Sequence, residues 1–360
     1  LLSALSAPGE DFILLEISHV LTDAVSIDII WRDLQLAYEG ALTTSKAPRY
    51  SRFVSYLQGT SQKDHMAYWL KFLKDAEPCF FPHLGTGNQK GATRAVSVTI
   101  SRAMTDHIRQ FCASLQITVA NLIQVMWSMV LRSYTGMDDV SFGYITSGRD
   151  LPLDGIDDLV GPLISMMISR VRYTPSMKVA DVIKQVGQDT VASMAHQHCS
   201  LAAIHREVGL KSRSLFNTVL TVVRPHSTQS IDSSLQLTQI ASSAGTSEFD
   251  VVLEVSDSGV ELDTTLAYSE SALRSEDATN LSHAIVCALN WIIAHPESLV
   301  DHLSLCSPDL ISQMTAMNNA SPGVGVAAVS ARTYLLACTS ATGFSSPVDR
   351  TGNNDLLGTR

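Results

Sequence analysis

The stretch "DDVSFGYITSGRDLPLDGIDDLVGPLI" (138–164) passes from a strand into a long connection rich in glycine and proline. Its opening, "DDVSFGYI", is typical of a strand because it combines β-branched and aromatic side chains. The connection that follows contains five residues that restrict the backbone: Gly148, Pro152, Gly155, Gly161 and Pro162. Such a connection either lines a site or is a structural crossover, and the pattern leaves both interpretations open.

Helical and strand patterns alternate on both sides of this stretch, without internal repeats, which indicates an α/β protein. Predicted helices cover about 65–75, 101–115, 118–133, 179–198 and 275–296. Predicted strands cover 11–17, 94–101, 138–145, 215–223, 249–255 and 260–268, the last two joined as a hairpin. A Pro/Gly-rich segment, 77–91, is the best candidate for a linker between two lobes. We therefore predict three parts: 1–91, 92–307 and a linker or disordered tail, 308–360.

A second polar stretch, "SHVLTDAVS" (18–26), falls where the first strand turns into a helix, for which Ser26 is a candidate N-cap. A lone histidine such as His19 is often a satisfied residue at a strand end. Held at a strand edge, an imidazole can also be poised for acid–base chemistry. Asp23, four residues on, can brace the turn by accepting backbone N–H bonds or pairing with an arginine.

Two other chemical interpretations of the histidines are disfavoured. Ser18 and His19 are neighbours on an extended segment, so their side chains diverge, and a hydrolase triad with Asp23 is not expected. On a helix, His196 and His198 of "HQHC" diverge by about 200° and do not share one ion. We expect a helix end there and no metal site, because no second ligand pair has zinc-like spacing.

Two glycine-rich motifs are better interpreted as loops. "GVGVAA" (323–328) matches a dinucleotide-binding pattern by letter, but no predicted strand precedes it. "GTGNQKG" (85–91) has no Ser or Thr after its lysine, as a phosphate-binding loop requires.

Composition narrows the classes of partner. The 360 residues are 45% hydrophobic and 17% charged, which is typical of a folded domain. The net charge of −10 favours solubility and indicates no particular ligand. No basic stripe is present, so neither a nucleic acid nor an anionic membrane is an expected partner. We find no signal peptide and therefore expect a cytoplasmic protein. Because the chain opens on Leu1, we expect it to be a fragment.

Taken together, these motifs resemble the condensation domain of nonribosomal peptide synthetases. The family's H-H-x-x-x-D-G motif corresponds to Ser18-His19-Val-Leu-Thr-Asp23-Ala24. Further segments fall in the family's order: "YWLKFL" (68–73), "SYTGMDDVSFGYITSGRD" (133–150), "GIDDLVGPLISMMISRV" (155–171), "HQHCSL" (196–201), "SLFNTVLTV" (214–222) and "FDVVLEV" (249–255).

Two departures from the family pattern matter. The string S-H-x-x-x-D-x-x-S, ending at Ser26, is similar to the terminal condensation-like domains of fungal synthetases, which release a product by cyclisation. The N-terminal family motifs, including the arginine that usually supports the motif aspartate, do not occur here. The resemblance thus implies an incomplete N-terminal lobe and an Asp23 without that partner.

The resemblance implies a chloramphenicol-acetyltransferase-like fold, two lobes in a V with His19 in the tunnel between them. It implies no directly bound cofactor. The acyl groups would arrive on phosphopantetheine arms of peptidyl or aminoacyl carrier domains, beside an adenylation domain of the parent synthetase. The D-F-G-W-G motif of acyltransferases with this fold does not occur, which disfavours free coenzyme A as donor.

By the same resemblance, His19 is the catalytic residue, as proton acceptor or as stabiliser of the tetrahedral intermediate. Asp23, Ser18 and Ser26 would support its loop, while Ser165 and Arg224 would line the tunnel. Amide formation between carrier-bound substrates is the leading hypothesis. A truncated or non-catalytic module that only docks carrier domains is the alternative, and epimerisation is a third, disfavoured by the missing first histidine.

Overall fold

The computed structural model describes residues 2–7, 10–18, 20–43, 47–84, 92–209, 214–224, 248–303 and 305. The strands are β1 Leu2–Ala7, β2 Glu10–Leu15, β3 Thr93–Val98, β4 Asp139–Thr146, β5 Ser165–Arg172, β6 Thr218–Val223, β7 Val251–Asp257 and β8 Leu262–Ser269. The helices are α1 Ala24–Tyr38, α2 Tyr50–Gly59, α3 Gln62–Phe72, α4 Arg102–Leu115, α5 Val119–Thr135, α6 Val179–Met194, α7 Leu201–Val208 and α8 Ser275–Ala294.

A six-stranded mixed sheet organises the described part of the chain, in the order β3-β8-β7-β6-β4-β5. The central pairs β4–β6 and β6–β7 are parallel, and the remaining pairs are antiparallel. β4 and β5 pair in a register that sets Thr146 opposite Ser165. The connection 147–164 therefore leaves and re-enters the sheet at a single point. β1 and β2 form a separate two-stranded antiparallel sheet.

The core forms around α5, which is apolar on nearly all sides and is buried along most of its length. It contacts α6, α8 and strands β4 and β6. Thr118 and Asn121 form a capping box at its N-terminus, and Gly136 ends it in the left-handed conformation that glycine adopts without strain. The apolar pattern of 118–133 thus correctly predicts a buried helix.

Several boundaries differ from the predictions. α1 begins at Ala24 with Asp23 as its N-cap, so the choice of Ser26 as cap is wrong. The Asp23 carboxylate accepts the Ser26 N–H and places Ser26 in the first turn. α6 ends at Met194 and not at 198, because the chain enters turns there. β2 ends at Leu15, two residues short of the predicted strand.

The predicted linker 77–91 is packed along its first half. The backbone of Cys79 forms an isolated parallel β-bridge with that of Phe216, and the side chains of Cys79 and Phe81 are buried. Residues 85–91, with the "GTGNQKG" motif, lie outside the described residues, as do 308–360 with "GVGVAA". The division of the chain at 91 and 307 stays a prediction.

Two short helices, α2 and α7, were not predicted from the sequence. Each has one fully buried side chain, Phe53 and Ile204 respectively. Within the described ranges, no single helix has the length and apolar composition to cross a membrane, although the bent pair α4–α5 together passes that test.

Candidate active site

Asp23 is the centre of a buried polar network between the N-terminus of α1 and the connection 147–164. Its Oδ1 accepts hydrogen bonds from the backbone N–H of Ser26 at 2.8 Å and from the Ser26 hydroxyl at 2.7 Å. Its Oδ2 accepts the backbone N–H of Leu163 at 3.1 Å. A carboxylate taken out of water requires such partners, and here it receives them from both segments.

Arg149 supplies the positive charge. Its Nη2 lies 3.1 Å from Asp23 Oδ1, and the side chains of Arg149 and Asp23 are 5% and 0% exposed. Arg149 Nη1 donates to the carbonyl oxygens of Ile156 at 2.8 Å and Leu159 at 3.0 Å. Asp23 was expected to lack the arginine of the N-terminal family motifs, and its charge partner here is instead residue 149, from within the glycine- and proline-rich connection.

Ser26 joins the same two segments a second time. Its hydroxyl lies 3.0 Å from both the backbone nitrogen and the carbonyl oxygen of Gly161. Gly161 has φ of +152°, and a Cβ there would lie 2.2 Å from Cδ2 of the Tyr50 ring. Tyr50 in turn donates its hydroxyl to the Pro162 carbonyl oxygen at 2.9 Å. Only glycine fits this approach of backbone to ring.

The predicted catalytic residue, His19, lies outside the described residues. Ser18, before it, is exposed and accepts the backbone N–H of Leu21 at its carbonyl oxygen, 2.9 Å away. Its hydroxyl is 3.4 Å from the Val20 nitrogen, a weak contact. Val20 and Leu21 expose apolar side chains beside the buried network. Ser18 thus belongs to the turn but makes no contact with Asp23 that the structure records.

The two predicted tunnel residues have different surroundings. Ser165 is the first residue of β5 and its Oγ lies 3.4 Å from His198 Nδ1. Arg224 follows β6, is 78% exposed in its side chain and lies 3.7 Å from the Asp257 carboxylate. The network around Asp23 therefore includes the segment that leads to Ser165. Arg224 lies elsewhere, beside Asp257 at the end of β7.

The "HQHC" histidines lie in the turn after α6 and have separate partners. His196 Nδ1 is 3.1 Å from His65 Nδ1, and the Tyr68 ring stacks on His196 with centroids 4.1 Å apart. Burial lowers the pKa of His196, and the nearby His65 lowers it further. In the part of the chain that the structure describes, no three His, Cys, Asp or Glu side chains converge as metal ligands.

Arg149 is the residue of this network that sequence reasoning missed. Its signal is weak but present, since it is an arginine inside a connection whose backbone is tightly specified. Its partner Asp23 is 126 residues away, so no local spacing reveals the pair. The geometry defines a strand-to-helix loop whose acidic residue is fixed by a distant arginine.

Comparisons with known proteins agree with this architecture. The family model described as "Condensation domain" matches residues 4–315. Nonribosomal peptide synthetase 8 of Aspergillus fumigatus is 99% identical over 311 residues, which is 86% of this chain and 4% of that synthetase. Nonribosomal peptide synthetase atnA of Emericella nidulans is 37% identical over 268 residues, 74% of this chain and 4% of that protein. The chain thus spans only a small part of these relatives.

Solved structures show the same fold at low sequence identity. The X-domain from teicoplanin biosynthesis has a TM-score of 0.71 at 15% identity, covering 84% of this chain and 74% of that one. The first condensation domain of the calcium-dependent antibiotic synthetase, in complex with a substrate analogue, has a TM-score of 0.65 at 17% identity, covering 85% and 70%. The predicted chloramphenicol-acetyltransferase-like fold is confirmed.

Fold and sequence together define a condensation-type domain of peptide-synthesising enzymes. This chain belongs to the condensation domain family of nonribosomal peptide synthetases, with its curated relatives in fungi.

Proposed function

We propose that this domain forms amide bonds between acyl or aminoacyl groups held as thioesters on carrier domains. The observation that supports this most directly is the buried Asp23–Arg149–Ser26 network, which fixes the start of α1 a few residues after His19. A loop held by so many charged and neutral hydrogen bonds keeps its shape when a substrate arrives. Such preorganisation is what acid–base chemistry at a single histidine requires.

The reaction poses a proton problem that an imidazole can solve. An alkylammonium does not attack a thioester, so a proton has to leave the nitrogen as the new C–N bond forms. In this proposal His19 accepts that proton or stabilises the tetrahedral intermediate. Asp23 holds the loop through its buried pair with Arg149 and does not transfer a proton.

The partners follow from the tethered substrates. Phosphopantetheine arms of peptidyl or aminoacyl carrier domains deliver donor and acceptor, and an adenylation domain of the parent synthetase loads them. No cofactor binds the domain directly in this proposal, and the reaction takes place in the cytoplasm. Because both substrates are tethered, proximity supplies much of the acceleration.

The order S-H-x-x-x-D-x-x-S supports a specialised outcome, in which an amine of the same chain attacks and the product leaves by cyclisation. The Ser26 hydroxyl lies between the Asp23 carboxylate and the Gly161 backbone, so the last serine of that string is part of the network. Its role is structural in this proposal, and the nucleophile comes from the substrate.

Single-turnover condensation tests the proposal. Donor and acceptor aminoacyl chains are loaded on the neighbouring carrier domains, and intact protein mass follows the transfer. His19→Ala should slow the reaction by about 10²–10⁴-fold, the range for loss of a general base. His107→Ala, at an exposed position of α4, is the matched control and should react as the wild type does.

Two outcomes would reject this function. Equal rates for wild type and His19→Ala would remove His19 from the chemistry. A folded wild-type chain that binds carrier domains but yields no product would favour the alternative, a module that only docks carriers.

A further inference from the structure

Ser165 lies close to the loop that Asp23 holds. The Leu163 N–H donates to Asp23 Oδ2 at 3.1 Å, and Ser165 follows two residues later at the start of β5. Two residues span at most about 7 Å, so the Ser165 backbone stays near the Asp23 carboxylate. Ser165 is only half-buried. Ser165 therefore lies at the edge of the network.

One histidine lies at the long end of hydrogen-bonding distance from this hydroxyl. His198 Nδ1 lies 3.4 Å from Ser165 Oγ, and the Phe53 ring meets the imidazole edge-on at 5.8 Å between centroids. The preceding residue, Gln197, fixes the turn that carries His198. It accepts the Thr146 hydroxyl at 3.1 Å and donates to the Asp150 carboxylate at 3.0 Å. Since Thr146 pairs with Ser165 across β4 and β5, the turn is tied to the same strand ends.

The charge state of His198 is set by its surroundings. Burial lowers its pKa, and His65 lowers it further, while Asp150 acts in the opposite direction. The imidazole is therefore neutral at neutral pH, with one ring nitrogen protonated. Its Nε2 is buried and has no hydrogen-bond partner among the described residues. Because a buried N–H without a partner is rarer than a buried acceptor without one, the proton belongs on Nδ1.

A proton on Nδ1 determines the direction of the hydrogen bond. His198 then donates to Ser165 Oγ, and the serine keeps its own O–H for another acceptor. We propose that Ser165 donates this O–H to the thioester carbonyl oxygen as charge develops there, and that His198 is the residue that positions it. The inference rests on the proposed function, because it assigns a role at the same condensation site. The proton of the serine stays on Oγ, so no group is transferred.

Four variants test this assignment in the single-turnover assay. Ser165→Ala should slow condensation by about 10²-fold, the lower range for loss of one donor to a developing oxyanion. His198→Leu should slow it by about tenfold, since Ser165 remains but is no longer oriented. His198→Asn keeps an N–H donor at the same reach and should restore most of the rate. The double variant Ser165→Ala/His198→Leu should be no slower than Ser165→Ala alone.

Each alternative outcome overturns the proposal. Additive losses in the double variant would mean that His198 acts independently of Ser165. Equal rates for His198→Asn and His198→Leu would mean that the imidazole only fills space. His196→Asn, in the same turn but paired with His65, is the control and should stay near the wild-type rate.

The failures of the two proposals are distinguishable. A wild-type rate that falls with His19→Ala but not with Ser165→Ala overturns only the role of Ser165. A wild-type chain without turnover overturns both. Thermal unfolding of each variant shows that a lost rate is not a lost fold, and Ser165→Ala and His198→Asn are the substitutions that disturb packing least.

Discussion

At the scale of single residues, the pair of Asp23 and Arg149 shows why charge inside a protein constrains local structure. The two side chains are almost completely buried and separated by 126 positions in sequence. Each needs the other, because an isolated buried charge is far more costly than a paired one. The carbonyl oxygens of Ile156 and Leu159 accept further hydrogen bonds from Nη1 of the guanidinium. Hydrogen bonds to Arg149 therefore hold the connection in shape, in addition to the backbone restriction that its prolines impose.

Asp23→Asn should destabilise the domain by about 3–5 kcal/mol, although asparagine can still cap α1. The loss comes from leaving the Arg149 charge buried without a carboxylate. Asp33→Asn is the matched control, because Asp33 and Arg32 form a surface pair with side chains 41% and 37% exposed. That control should cost less than about 1 kcal/mol in urea denaturation. Equal losses for the two variants would contradict the importance given to burial.

Gly161→Ala should destabilise the domain by about 1–3 kcal/mol, since the backbone angle and the Tyr50 ring both oppose a methyl group. Gly59→Ala is the control, because a Cβ at Gly59 meets nothing within 4 Å and its φ is not positive. At that helical position alanine should be neutral or stabilising by up to about 1 kcal/mol. Thermal unfolding of both variants checks the difference, and a neutral Gly161→Ala would show that the loop rearranges freely.

At the scale of elements, α3 packs against the turn after α6 through two aromatic side chains and a pair of histidines. The Trp69 Nε1 donates to the His196 carbonyl oxygen at 3.0 Å, and Tyr68 stacks on the His196 ring. The nitrogens of His65 and His196, 3.1 Å apart, require one protonated and one bare Nδ1. Burial and His65 lower the pKa of His196, whereas Asp64, on α3, raises it.

His196→Asn should flatten the pH dependence of stability in mild acid. The pKa of His196 is lowered in the folded state, mainly by burial, so the unfolded chain binds protons first as pH falls. The wild type therefore loses stability as pH falls below about 6.5, the unfolded value, until the folded pKa is passed. Urea denaturation between neutral pH and pH 5 measures the slope. Parallel curves for wild type and variant would exclude His196 as a source of that slope.

The sequence predicts elements well where one pattern dominates over a whole element. β4, α5 and the β7–β8 hairpin were predicted because their apolar spacing or turn residues are strong. α2 was not, since its stability depends on Phe53 packing against Ile156, Leu159 and Leu163 far along the chain. For the same reason, only part of the candidate site could be predicted from the sequence. The spacing of His19 and Asp23 is local, whereas Arg149 becomes their neighbour only through the fold.

At the scale of the whole molecule, one sheet and the helices packed on it account for the described core. β4 and β5 define where the connection 147–164 starts and ends, and α1 and α2 contact that connection through Asp23, Ser26 and Tyr50. The described chain closes with Leu303 and Leu305, both buried. The core therefore includes the chain at least as far as residue 305.

Removal of residues 308–360 should leave the thermal unfolding midpoint unchanged within about 2–4 °C, which corresponds to roughly 1 kcal/mol for a domain of this size. The sequence of that segment shows neither helical nor strand periodicity, which is why no core contribution is expected. Calorimetry of the chains 1–307 and 1–360 makes the comparison. A large drop in the midpoint for the shorter chain would place part of the folding unit beyond residue 307.

The link between Asp23 and Arg149 has a practical consequence for recombination between synthetases. Residues 18–26 and 149–163 should come from the same parental sequence, because their side chains and backbones bind each other. A crossover between them would combine the Asp23 loop of one parent with the Arg149 connection of another. Hybrid enzymes should tolerate junctions that keep both stretches from a single parent. Libraries made by exchanging segments of this domain should therefore be divided outside residues 18–163.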